Sequence, residues 1–163
     1  MKESFGTTVM YLVVGILLAF LINLGLGFAL STDMPVVAVM SNSMVPTFYK
    51  GDMLVLKGVS PDQIRVGDIV VFSPSDYSVP IVHRVVSINP DGTITTKGDA
   101  NPSSLPIERN IDPNKLHGKV ILIIPYFGWV KILAIEYLIP NMSLVVIALF
   151  FIGAIYYFKN WRG

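Results

Sequence analysis

Val79-Pro80-Ile81-Val82-His83-Arg84-Val85-Val86-Ser87-Ile88-Asn89-Pro90-Asp91-Gly92-Thr93-Ile94-Thr95-Thr96-Lys97-Gly98-Asp99 reads as two β-strands joined by a tight turn. Its many β-branched residues suit a pleated, half-buried surface, and Asn89-Pro90-Asp91-Gly92 is the punctuation of a hairpin. The same pattern continues on both sides. Val36 to Met40, Met53 to Leu56, Asp68 to Phe72 and Lys119 to Ile124 are runs of the same kind, cut by turn signals such as Lys50-Gly51-Asp52 and Val66-Gly67-Asp68. Short strands at such spacing predict a mainly β domain. The hairpin also has a chemical consequence. If Ile88 pairs with Thr93, His83 faces Gly98; a loop tighter by one or two residues sets His83 opposite Asp99 or Ala100. In every register Asp99 lies within one position of the residue facing His83, and cross-strand neighbours sit ~4.5–5.5 Å apart at Cβ, which permits a carboxylate–imidazole bond. Only the middle register sets both side chains on one face.

Outward from the β region the chain turns apolar. Of its 163 residues 53% are hydrophobic and 14% charged, too greasy a balance for a freely soluble domain. The excess lies at the ends: neither Ser4 to Thr32 nor Tyr137 to Phe158 contains a charged residue, and each reaches the ~20 residues that span hydrocarbon. Three parts are expected: an N-terminal transmembrane anchor over 1–32, an extracytoplasmic β-rich domain over 33–136, and a C-terminal transmembrane helix with a short basic tail over 137–163. Two spans put both termini on one side. Lys2, Lys159 and Arg162 mark that side as cytoplasmic by the positive-inside rule, which leaves Lys131 as a cation near the outer end of the second span. The expected location is therefore a multi-pass protein of the cell membrane with its central domain outside. Ala29-Leu30-Ser31 has the small-x-small look of a processing site, but the apolar stretch before it exceeds the 7–15 residues of a signal-peptide core, which favours a retained anchor. Trp129 to Leu138 reads as a short amphipathic helix at the membrane surface.

The net charge of +1 supplies no basic field, so no nucleic-acid partner is expected. Without cysteine there are no disulfides, thiolate metal sites or cysteine nucleophiles. His83 and His117 are the only two histidines, so a histidine base must be one of them. His83 lies in a strand beside a possible acid, whereas His117 follows Asp112-Pro113-Asn114-Lys115-Leu116 and reads as a turn residue. A metal set of His83, Asp99 and His117 lacks any recognised ligand spacing, so neither metal nor cofactor is expected. Ser43 stands in Met40-Ser41-Asn42-Ser43-Met44-Val45-Pro46-Thr47, an irregular stretch that can expose a hydroxyl beside backbone amides, although a loop serine alone is usually a turn or capping residue.

Taken in order, four segments together resemble the type I signal peptidase family. They are Ser41-x-Ser43-Met44-x-Pro46-Thr47, Gly67-Asp68-Ile69-Val70-Val71-Phe72, Val82-His83-Arg84-Val85 and Lys97-Gly98-Asp99-x-Asn101. The resemblance runs from about Val36 to Trp129, where Pro125-Tyr126-Phe127-Gly128-Trp129 matches a late family segment. Histidine at 83, where the bacterial branch has lysine, is similar to the archaeal and endoplasmic-reticulum branch. The resemblance implies a signal-peptidase-like β-rich catalytic domain flanked by two transmembrane helices. It implies a membrane-bound serine endopeptidase that removes N-terminal signal peptides from secreted proteins after small residues. Ser43 would be the nucleophile, His83 the general base, and Ser41 with the Ser43 amide the oxyanion hole. Related histidine-type enzymes have a second aspartate where this chain has Leu105, so the orienting role falls to Asp99, with Glu108 as the alternative acid. The partners implied are signal-peptide-bearing preproteins and the lipid bilayer, and activity should rise through roughly pH 6 to 7, the range of an ordinary histidine. Competing readings are a non-enzymatic membrane-anchored β-domain that binds or scaffolds a partner, and a dedicated peptidase for one class of precursor.

Overall fold

The computed structural model of the chain describes residues 5–74 and 79–144, together with 147, 150, 151 and 153. The N-terminal apolar run forms helix α1, Phe5–Leu30. With no charged residue along its length it is hydrophobic on all sides, as a helix is that has no aqueous face to present. Over Gly6–Leu30 its mean hydropathy is 2.5 with none of the spanning window buried, and among the described residues it is the one helix long and apolar enough to cross a membrane. It stops at Ser31, whose φ of 53° is left-handed, and the Thr32 amide closes the last turn on the Gly27 carbonyl at 3.0 Å. Of the second span expected over 137–158, the described part is the end of a helix that starts as α2, Trp129–Leu133, and widens to a π turn over Ala134–Leu138. A helical stretch follows at 142–144, and most of the remainder lies outside the described residues.

Each expected β run becomes a strand: β1 Val36–Ala38, β2 Met53–Lys57, β3 Ile69–Phe72, β4 Ile81–Ile88, β5 Ile94–Lys97 and β6 Leu116–Ile124. They form one six-stranded sheet in the order β1-β2-β6-β3-β4-β5, antiparallel at every pairing. The apolar run of β3 is explained by burial on both faces. Val71 packs into a cluster with Val39, Met44, Phe48, Leu54 and Leu56, while its neighbours Val70 and Phe72 join Ile64, Val85, Ile94 and Ile111. A strand covered on both sides loses the alternation of a half-exposed one.

Two local departures position the site. The β4–β5 pairing matches Ile88 with Ile94 and Ser87 with Thr95 at the turn, then shifts by one residue so that Val85 meets Thr96 and Arg84 meets Lys97. Val86 is the extra residue of this bulge. The second departure corrects the reading of His117, which is a strand residue near the start of β6 and not part of a turn. Asp112 caps a single 3-10 turn over Pro113–Lys115 by accepting from the Asn114 amide, so the polar stretch ends one turn earlier and Leu116 already begins the strand.

Candidate active site

Ser43 opens the turn after β1. Met44 and Phe48, on its C-terminal side, are fully buried, and the Asn42 side-chain oxygen accepts from the Lys50 amide at 2.8 Å. Close-packed apolar anchors beside a polar position hold that position in one place. A further tie fixes Ser43 itself, whose carbonyl accepts from the Ala100 amide at 2.9 Å. The serine loop is thereby fastened to the segment that follows β5.

His83 lies within β4, opposite Val70 of β3 on one side. On the other side, the pairing of Arg84 with Lys97 sets Gly98 opposite His83. A Cβ on Gly98 would lie 2.8 Å from His83 Nε2 and 2.7 Å from the Ser43 carbonyl oxygen, so the absence of a side chain at 98 is what lets serine and histidine meet. His83 Nε2 is 2.9 Å from Ser43 Oγ. Its Nδ1 is hydrogen-bonded to Glu108 Oε1, and Glu108 Oε2 accepts from the Leu105 amide at 2.7 Å. Facing a carboxylate, Nδ1 carries the proton, which leaves the Nε2 lone pair directed at the serine hydroxyl. His83 and Glu108 are both buried. Ser41 Oγ stands 3.2 Å from Ser43 Oγ.

Asp99 is not where the middle hairpin register would set it. The shift at Val86 sets Gly98, not Asp99, opposite His83, and a one-residue slip moves a side chain to the other face. Asp99 shares the face of Arg84 instead. Arg84 donates to it from Nε at 2.9 Å and from Nη2 at 2.7 Å, and Thr47 Oγ1 donates to the same carboxylate. The bonds from Arg84 are the main reason why the Asp99 carboxyl titrates below its ordinary value, and the same contact raises Arg84. The carboxylate beside His83 comes from Glu108 on the 3-10 turn Pro106–Glu108. A signal for it was in the sequence: Pro106 opens a turn and an acid three residues after Leu105 reaches back to the Leu105 amide, which is capping-box logic. The longer side chain thus delivers from 108 the acid that Leu105 cannot supply.

The three residues of the metal reading do not converge. His83 is held by Ser43 and Glu108, Asp99 by Arg84 and Thr47, and His117 by Ser73 and Asp33. Around Ser43 and His83 opens a cleft of about 570 Å3 whose walls include Val37, Met40, Phe48, Val82, Leu105 and Ile135.

Residues 8–100, which carry this serine, this histidine and the glycine between them, match the model of the family described as signal peptidase, peptidase S26. The chain belongs to the signal peptidase family. The signal peptidase complex catalytic subunit SEC11C of Rattus norvegicus is 34% identical over 142 residues, covering 80% of this chain and 71% of that one. SEC11C of Homo sapiens has the same identity and coverage. The signal peptidase complex catalytic subunit sec11 of Sclerotinia sclerotiorum is 33% identical over 144 residues, covering 79% of this chain and 84% of the relative. These relatives are catalytic subunits, and the chain is a serine peptidase of the signal peptidase family. That sets aside the reading of a non-enzymatic scaffold. The match to signal peptidase complex catalytic subunits also agrees with the branch that the resemblance at His83 suggested.

Proposed function

We propose that Ser43, His83 and Glu108 form the catalytic unit of a membrane-bound signal peptidase that cuts N-terminal signal peptides from exported precursors after small residues. The observation that carries this reading is the 2.9 Å approach of Ser43 Oγ to His83 Nε2, with the opposite ring nitrogen engaged by a buried carboxylate. Ser43 Oγ attacks the scissile carbonyl carbon while its proton passes to Nε2. Charge develops on the carbonyl oxygen, where the Ser43 amide and the Ser41 hydroxyl are the candidate donors. The imidazolium, stabilised by Glu108, returns the proton to the departing amine. Water then repeats the sequence in reverse on the acyl-enzyme, restoring Ser43. Asp99 acts at one remove in this scheme: with Arg84 and Thr47 it ties the serine loop to the histidine strand.

The same proposal places residues 1–32 and 137–163 in the bilayer with both termini cytoplasmic, and residues 33–136 outside as the catalytic domain. Twelve residues separate Leu30, the end of α1, from Ser43, at most ~45 Å when fully extended, so the nucleophile stays close to the lipid surface. A precursor whose apolar segment remains in the bilayer would bring its cleavage site to that height and lay an extended stretch along the cleft. The test is cleavage of a signal-peptide-bearing precursor by the purified protein in detergent. Folded Ser43→Ala and His83→Ala variants should cleave nothing measurable; a Ser43→Ala variant as active as wild type would remove the proposal.

A further inference from the structure

Among the described residues, the cleft at Ser43 is lined by one ionisable side chain besides His83, Lys131. This is the cation that charge counting leaves on the outer side of the membrane. Its helix is firmly seated. Ile132 is fully buried, the Tyr126 amide donates to Asp52 Oδ1 at 3.1 Å, and Gly128 packs so tightly that a Cβ there would lie 2.3 Å from the Asp52 carbonyl oxygen. Lys131 and Ile135, one helical turn apart, share the face that lines the cleft. Glu136, the nearest acid on this element, is instead paired with Lys50 at 3.4 Å, whose ammonium also lies 5.8 Å from the centre of the Trp129 ring. Among the described residues Lys131 takes part in no ion pair.

An ammonium with no ion-pair partner among the described residues, on a mostly apolar wall, discriminates between partners by charge: it draws a carboxylate and repels a cation, even where it adds little to overall affinity. We propose that Lys131 is a specificity-determining residue that favours substrates carrying an aspartate or glutamate in the stretch occupying the cleft. This rests on the reading of the cleft as the seat of the precursor chain.

The test uses the full-length protein in detergent and a precursor series with Asp, Asn or Lys placed in turn at each position from two to six residues before the cut. At one or more positions the Asp form should be cleaved at least about threefold faster than the Lys form, a ratio suited to a partly exposed ion pair. Lys131→Gln should level that ratio and Lys131→Glu should invert it, with cleavage of the Asn form little changed. Equal rates for Asp and Lys forms at every position in wild type overturn the proposal while leaving the peptidase reading intact. A Lys131→Glu effect equal for all substrates, and present only in vesicles containing anionic lipid, also overturns it and assigns Lys131 to the headgroups. No cleavage of any form by wild type would defeat the peptidase reading and this inference together.

Discussion

The molecule builds the same three-residue arrangement twice. Ser43, His83 and Glu108 meet at one place, and Ser73, His117 and Asp33 at another. In both, a serine hydroxyl sits on Nε2, at 2.9 Å and 2.8 Å, and a carboxylate sits on Nδ1. Their surroundings differ. The His83 and Glu108 side chains are 7% and 0% exposed, whereas His117 and Asp33 are 20% and 66% exposed. Water screens the second pair, so its carboxylate does little to bias the imidazole, while the buried pair acts at low effective dielectric. The cleft that reaches Ser43 does not extend to Ser73 or His117. The outer group has a mechanical position instead. Thr32 Oγ1 donates to the His117 carbonyl and the Gly58 amide to Leu30 at 2.8 Å, so Asp33 and His117 fasten the end of α1 to the sheet. Residue types in the same arrangement do not by themselves set a site apart; burial beside a cleft distinguishes the group at Ser43.

Removing each serine in turn is the widest test of this contrast. Ser43→Ala should lower precursor cleavage by about a thousandfold or more, and Ser73→Ala should leave it within about twofold; comparable losses would mean the two groups are not distinct. The acids should divide in the same way. Glu108→Gln is expected to cost about a hundredfold or more in kcat, with the folded state checked by circular dichroism, because it removes the charge that stabilises the imidazolium. Asp33→Asn should change cleavage of a short soluble peptide hardly at all. Gly98→Ala sharpens the geometric part: its Cβ would push Ser43 and His83 apart, so activity should fall tens of fold without global unfolding.

The smallest effect belongs to Asp99, which orients the loop but does not touch His83. Asp99→Asn should weaken stability by about 1 kcal/mol or less, as partly exposed ion pairs do. Because Arg84 lowers the folded Asp99 titration below its ordinary 3.8, this contribution is fully present above that value and is lost as pH falls through the lowered one. Denaturation curves of wild type and Asp99→Asn should therefore converge in acid. A gap that widens on acidification would contradict the Arg84–Asp99 pairing.

Much of this was legible beforehand. All six strands lie within three residues of the runs marked by β-branched residues and Gly, Pro, Asn and Asp turns, since period and punctuation are local properties of the chain. The first apolar helix was legible for the same reason. Ser43 and His83 could be singled out as the candidate nucleophile and base from the resemblance that their motif order carries. Their hydrogen bond could not, because it depends on Gly98 leaving room and on Ala100 holding the serine loop.

What the amino-acid sequence determined by itself was the supply: a mainly β domain beside an apolar helix, two histidines, an acid at 99 within cross-strand reach of one of them, and a further candidate acid at 108. Which acid meets His83 was decided only in three dimensions. If the pairing at the turn, Ile88 with Ile94, continued unshifted, His83 would face Asp99; the single extra residue at Val86 sets Gly98 there and hands Asp99 to Arg84. A strand changes face with every residue, so one inserted residue exchanges the partners of every residue beyond it. Such a shift depends on how the two strands pack with the rest of the sheet, which no local pattern of residues records.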